Sequence, residues 1–270
     1  MSNNKKSKRP LVIRAIPAFL RVGVALRWFR NKSLSDLLYK DSHLWCNPKI
    51  KMDLVRGDVI SDAIALAGIY DYKKTKNLIA IAKSGGLFLD VGANLGYFSL
   101  LWAGLDPLNQ VISFEVSPRN VEFITRNINK NFLDKQIRLV DKAVGQVNGK
   151  LEFDLGNESQ TGWGGFTNTK NENSIDVEVI TLDEILFGIN QEISLLKIDI
   201  EGADFWALKG CEKTLKEKKI KSIWFEQNKP RSRALGIPDN AALEFLKSLG
   251  YRLIPNGDPN CDTLDWIANL

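Results

Sequence analysis

The stretch Asp90-Val91-Gly92-Ala93-Asn94-Leu95-Gly96 joins two apolar segments of different character. Residues 87–91 (LFLDV) form a short apolar run, the pattern of a buried strand, and residues 96–104 predict a helix. Between them, Gly92 permits the positive φ of a sharp turn and lets a ligand approach the main chain; Ala93 and Asn94 complete that turn. Gly96 allows close packing where the helix begins. The helix start offers free N–H groups and a partial positive charge, suited to a carboxylate or phosphate. Asp90, at the strand end, can accept hydrogen bonds from an ammonium group or from the turn.

Outward from this turn the chain alternates. Residues 111–115 and 137–140 predict second and third strands, with a helix from Pro118 to about residue 131 capped by Ser117. Later strands are expected at 150–154, 175–180, 193–199 and 220–226, with helices at 72–83, 203–218 and 240–249. Residues 251–254 and 263–268 predict a closing antiparallel hairpin at the sheet edge. Strands alternating with helices imply right-handed βαβ units, hence an α/β fold with an open, mostly parallel sheet and helices on both faces. Residues 156–174 (GNESQTGWGGFTNTKNENS) contain no aliphatic side chain and read as a long loop. Trp163 and Phe166 within it either pin the loop to the body or meet substrate.

Ligands of open α/β sheets lie across the carboxyl ends of the strands. Glu115, 25 residues after Asp90, ends the second strand, where a carboxylate can accept both hydroxyls of a ribose. Asp141 follows the third strand and can accept from an exocyclic amine. Each acid alone can merely cap a helix; three at successive strand ends beside a glycine turn form a joint pattern. A dinucleotide fingerprint would need a third glycine, where Asn94 stands. The expected cofactor is therefore S-adenosylmethionine, which has a ribose, an adenine and an amino-acid end but no phosphate.

The chain resembles class I methyltransferases of the FkbM type. The matching segments are Asp90–Gly96, Phe114-Glu115 with Pro118, Ala143-Val144-Gly145, and Lys197-Ile198-Asp199-Ile200-Glu201-Gly202-Ala203-Asp204 followed by Leu208-Lys209-Gly210. The resemblance spans roughly residues 55–270. It implies a seven-stranded Rossmann-like methyltransferase sheet, a cofactor site that includes Ala143 and Asp199, and usually O-methylation of sugars or natural-product hydroxyls. Val116 and Asp204 depart from it, standing where the family often has Pro and Glu.

Methyl transfer needs an aligned acceptor and removal of its proton. Asp199 and Glu201 are the candidate bases, with Lys197 as a group that tunes a neighbouring acid or forms a structural ion pair. The other reading is that Asp199 only contacts the cofactor and Glu201 caps the next helix. Glu226, Trp163 and His43 are candidate acceptor contacts, His43 being more often structural in such a position.

Composition narrows the remaining classes. A single histidine excludes a multi-histidine metal site, and no metal is expected. Three well-separated cysteines suit a reducing compartment. The net charge of +5 is misleading: residues 1–40 carry ten Lys/Arg and one acid, so the remainder is net negative and a poor nucleic-acid surface. Residues 1–54 are read as a basic, helix-rich extension and 55–270 as the catalytic domain. Within the extension, residues 18–30 place Phe19, Val22, Leu26 and Phe29 on one helical face. That face either packs on the domain or lies on an anionic membrane surface, residues 11–30 making the contact. The charge-free runs there are too short for a signal or a membrane span, so the expected location is cytoplasmic, with peripheral contact at the inner membrane face as the second case. The rival functions are an RNA methyltransferase using the basic arm and a non-catalytic membrane-associated module. The expected partner is a small-molecule or glycan acceptor; the sequence is silent on oligomeric state.

Overall fold

The computed structural model describes residues 36, 38, 39 and 42–270. The amphipathic segment expected at 18–30 lies outside the described residues. Helices α1 (Val59–Ala67) and α2 (Tyr72–Ala82) lead into the first strand. Then follow β1 (Leu87–Val91), α3 (Tyr97–Leu105), β2 (Gln110–Phe114), α4 (Pro118–Lys130) and β3 (Ile137–Val140). Next come β4 (Ala143–Val144), β5 (Gly149–Asp154), β6 (Gly165–Phe166), β7 (Ser174–Ile180) and the short α5 (Leu182–Ile185). The chain closes with β8 (Ile193–Ile198), α6 (Asp204–Lys209), α7 (Glu212–Lys216), β9 (Ser222–Asn228), α8 (Lys229–Ala234), α9 (Ala241–Ser248), β10 (Arg252–Pro255) and β11 (Thr263–Asn269).

The main sheet has seven strands in the order β10-β11-β9-β8-β1-β2-β3. From β9 through β3 every pair is parallel, while β11 runs antiparallel to both β9 and β10. The expected hairpin therefore forms, but its second strand is inserted inside the sheet and its first takes the edge. Each strand of β1 and β8 is buried on both faces, as in parallel sheets covered by helices. Alternation along β1 divides the core. Leu87, Leu89 and Val91 pack on one side with α6 and α9, and Phe88 packs on the other with Leu101 and Trp102 of α3. Asp90 shares the Phe88 side and is paired in register with Ser113 of β2 and Lys197 of β8. Leu44, Ile50 and Met52 belong to that same core, so the chain just before α1 is packed into the domain.

Two expectations are corrected. The helix read over 203–218 is two short helices, α6 and α7, separated at Gly210-Cys211. A Cβ at Gly210 would lie 2.1 Å from the Gly145 carbonyl oxygen, so this helix end is pressed against the β4 segment. The segment from β4 to β7 is not a simple excursion either. It forms a second, four-stranded sheet, β4-β7-β5-β6, and β6 lies inside the stretch read as loop.

Candidate active site

The carboxyl ends of β1, β2, β8 and β9 border a cavity of about 320 Å³. That position and size fit a ligand site in an open α/β sheet. The β1–α3 turn makes one wall. Gly92 has φ 77°, and its N–H and that of Ala93 both donate to the Phe114 carbonyl, at 3.0 and 2.9 Å. A Cβ on Gly92 would fall 2.0 Å from the Asp199 carbonyl oxygen, so glycine here lets β1 and β8 close on each other. Gly96 has φ 87° and starts α3; a Cβ there would meet Ile124 Cγ1 at 2.8 Å. Its role is packing, and it does not line the cavity.

Glu115 does line it. Its Oε2 accepts the Asn94 N–H at 2.8 Å, and its Oε1 accepts those of Val116 and Ser117 at 3.0 and 2.9 Å. Burial pushes this carboxyl up, and those donors oppose the shift. A carboxylate has about four lone-pair positions. Three are used by the turn itself and Asn120 approaches the same carboxyl, so Glu115 braces the turn as well as lining the cavity. Ser117 caps α4 in position only; its side chain makes no capping bond.

Two buried acceptors in this wall are unmatched. Asn94 Oδ1 and Asn120 Oδ1 have no hydrogen-bond partner, and both residues line the cavity. The Asn120 orientation is fixed because its Nδ2 donates to the Thr161 carbonyl at 2.8 Å. Buried polar atoms are otherwise almost always satisfied. These two are thus suited to O–H or N–H donors of a bound group, which S-adenosylmethionine would offer.

Asp90 is fully buried and does not face the cavity. The ammonium it accepts from is the chain's own: Lys197 Nζ lies 3.2 Å from its Oδ1, while Ser99 Oγ donates to its Oδ2 at 2.6 Å. Lys197 also donates to the Gly92 carbonyl at 3.1 Å and approaches Asp199 Oδ2 at 3.7 Å. Burial alone would depress the Lys197 pKa, but Asp90 and Asp199 raise it on balance. Lys197 is therefore a charged strut between β8 and the turn, not a base.

The other end of the cavity is built from side chains. Asp199 and Glu201 follow β8, and Glu226 lies on β9. Register pairs Glu226 with Asp265 of β11. Lys74 of α2 crosses to Asp265 Oδ1 at 2.7 Å, and Tyr70 stands beside it in the wall. Burial, then the charges of Asp199 and Glu201, push Glu226 up to about 7. Burial also raises Glu201 and Asp265, opposed respectively by Arg231 and Lys74. Glu201 occupies the left-handed region at φ 55°, and its Oε2 is 3.3 Å from Arg231 Nε. Asp204, 2% exposed, accepts the Glu226 N–H through Oδ1 at 3.0 Å. The shorter acid noted in the sequence thus fixes the end of β9. Burial keeps Asp204 well above the usual carboxylate range.

The 155–165 segment roofs the cavity through Gly162 and Gly164. Asp58 holds it down: its Oδ1 accepts from Thr161 N and Oγ1 at 2.8 and 2.9 Å, and its Oδ2 caps α1 at Ser61 N. Phe166 packs on Phe153 and Trp206 and also lines the cavity.

The structure brings together Gly92, Ala93, Asn94, Glu115, Ala143, Lys197, Asp199, Glu201 and Glu226. It does not bring in five others, Gly96 among them, which packs on Ile124. Asp141 follows the inward-facing Val140 and turns to solvent; Lys142, Ala143 and Val144 line the cavity instead. Asp90 lies beneath the turn rather than in the cleft, as described. The Trp163 side chain is 54% exposed and outside the lining, although its carbonyl accepts from Arg231 Nη2 at 3.1 Å. His43 forms an isolated antiparallel bridge with Lys51, also outside the lining. Residues not singled out from the sequence are Tyr70, Lys74, Asn120 and Asp265. Their only sequence signal is polarity at positions that elements bury, visible once the elements are placed. Among the described residues, no group of three or more His, Cys, Asp and Glu side chains is placed to hold a metal ion.

The strand order, the reversed β11 and the glycine turn beside buried Glu115 are those of a class I methyltransferase fold. The family model of the methyltransferase FkbM domain matches residues 90–253, and the chain belongs to that family. It is an S-adenosylmethionine-dependent methyltransferase. A search of curated proteins found no match. Solved structures with a similar trace include precorrin-6y C5,15-methyltransferase from Geobacter metallireducens, 13% identical over 75% of this chain and 91% of that one, TM-score 0.44. A putative caffeoyl-CoA O-methyltransferase from Staphylococcus aureus is 13% identical over 75% and 85%, TM-score 0.44. An O-methyltransferase from Bacillus cereus, solved in complex with SAH, is 12% identical over 75% and 83%, TM-score 0.41. The family assignment rests on the domain match and not on these distant likenesses.

Proposed function

We propose that the protein transfers a methyl group to a hydroxyl oxygen of a sugar, a glycoconjugate or a natural product. When bound, S-adenosylmethionine supplies a methyl group already activated by its sulfonium. The chain's task is to orient the hydroxyl and receive its proton. The observation that carries this reading is Glu226, a cavity-lining carboxylate whose pKa stands at about 7 among three other acids. A base of that strength is half-ionised near neutral pH and can take a proton as an acceptor oxygen loses it. Asp199 and Glu201 are then orienting acceptors, Glu201 being tied to Arg231. The partner implied is a small molecule or glycan. A cytoplasmic site of action is part of the same proposal, supported by free Cys46, Cys211 and Cys261.

A methyl-transfer screen against sugar nucleotides, glycolipids and oligosaccharides, read by mass spectrometry, is the test. Glu226→Gln is expected to lower kcat by about 10²–10⁴. In the unaltered enzyme kcat/KM should rise as pH increases through about 7, and this rise should vanish in the variant. Stability follows the opposite sense. The folded-state pKa is the higher one, so the contribution of Glu226 is fully present below the unfolded-state value of 4.5 and is lost as pH rises through about 7. Methyl transfer only to nitrogen or carbon would overturn the proposal.

A further inference from the structure

The segment that roofs the cavity packs differently from the walls. Gly156 has φ 68°, and a Cβ there would lie 2.9 Å from the carbonyl carbon and oxygen of Trp163. The ends of residues 156–164 therefore touch, and the segment is a compact Ω-loop. Thr161 and Gly162 in its middle line the cavity. Thr161 is 5% exposed, but Trp163, the one large apolar side chain of the loop, stays outside the core. What ties the loop down is polar. Besides the Asp58 contacts, Gln160 Nε2 donates to the Gly57 carbonyl at 2.9 Å and Arg119 Nη2 to the Gln160 carbonyl at 3.1 Å. A loop that buries so little apolar surface opens at lower cost than the core around it.

The two unmatched acceptors lie beneath this roof. Asn120, 2% exposed, donates through Nδ2 to the Thr161 carbonyl at 2.8 Å, and its carboxamide also approaches Glu115. A Cβ on Gly162 would lie 3.5 Å from Asn94 Nδ2. Successive roof residues thus rest on Asn120 and Asn94, and the Oδ1 of each has no partner. A buried acceptor left unmatched costs free energy. Water offsets that cost when the roof lifts, and a ligand donor offsets it while the roof stays shut. S-adenosylmethionine carries such donors in its ribose hydroxyls and amino groups. Occupancy therefore favours the shut roof, and by linkage the shut roof raises affinity by the same factor.

We infer that residues 156–164 are a cofactor-sensing lid, shut over bound S-adenosylmethionine and released when it leaves, with Asn120 as the residue that couples ligand to lid. One carboxamide can do this because its two atoms have different tasks. Nδ2 holds the roof at Thr161, and Oδ1 is the acceptor for the ligand. A donor on Oδ1 fixes the amide orientation in which Nδ2 reaches the roof. The inference goes beyond hydroxyl transfer, since it holds whichever atom of the acceptor is methylated.

Hydrogen–deuterium exchange of the full chain, free and saturated with S-adenosylhomocysteine, tests this, with calorimetry fixing the concentration that saturates. Amides of residues 157–164 should exchange about tenfold more slowly in the bound protein, a coupling of ordinary size. Asn120→Ala, compared at its own saturating concentration so that weaker affinity does not enter, should cut that slowing to about twofold or less. Thr161→Val keeps the carbonyl that Asn120 grips and loses the hydroxyl bond to Asp58. It should speed exchange of the free lid and retain the slowing on binding. Unchanged exchange at 157–164 on saturation of the unaltered protein would overturn the lid, and so would the absence of binding. Undiminished slowing in Asn120→Ala would overturn the coupling through Asn120. The first comparison uses no variant, so it decides on the lid even if Asn120→Ala does not fold; Asn120→Ser then takes its place, with the same reduction expected.

Discussion

On the β1–β2 side the cleft is walled by main chain. Gly92 lies against the Asp199 carbonyl, and Glu115 accepts three backbone N–H groups within the turns it braces. On the β8–β9–β11 side it is walled by charged side chains held by one another, Lys74 to Asp265 and Arg231 to Glu201. The first wall depends on covalent geometry and close contact, so small changes in atom count disturb it. The second depends on pairs of partly exposed charges and tolerates exchange. Under the proposed function, the first wall would grip the cofactor and the second would be the adjustable surface for the acceptor.

Substitution on each side breaks the comparison if it is wrong. Gly92→Ala should have the largest effect. It places a side chain at φ 77° and a Cβ within 2.0 Å of a carbonyl oxygen. Strain and overpacking together should cost about 4 kcal/mol, read as a lower midpoint in urea. Asp265→Asn should have the smallest. The Lys74 and Asp265 side chains are only 18% and 28% exposed, but Lys74 keeps Asp199 and Asp71 as counter-charges, so stability should fall by about 2 kcal/mol, less than at Gly92. Affinity for S-adenosylmethionine by calorimetry should be unchanged, while selection among acceptors shifts. A large loss of cofactor binding in this variant would show that the two walls are one cooperative unit.

The same division explains what was legible. Residues 90–96 and Glu115 are close in sequence, so the strand–turn–helix could be read directly, but Asp90 and Gly96 turn to Lys197 and Ile124 rather than to the cavity. Lys197 and Asp199 are legible through their motif, yet the role of Lys197 depends on strand register: adjacency of β1 and β8 pairs it with Asp90. Asp141 misleads because a one-residue phase after β3 decides which way a side chain points, and Val140 takes the inward position. Lys74 and Asp265 meet across nearly the whole chain, through an insertion of β11 beside β9 that no local pattern encodes. The split of α6 from α7 was hidden for a similar reason, since Gly210 abuts Gly145 only in three dimensions.

Calorimetric titration of S-adenosylmethionine into the unaltered protein and into Glu115→Ala tests the central claim most directly. Saturable binding is expected in the first, weakened about 10- to 100-fold in the second by loss of a charge-assisted acceptor. No binding by the unaltered protein, or undiminished affinity in the variant, would contradict the placement of the cofactor against the β1–β2 wall.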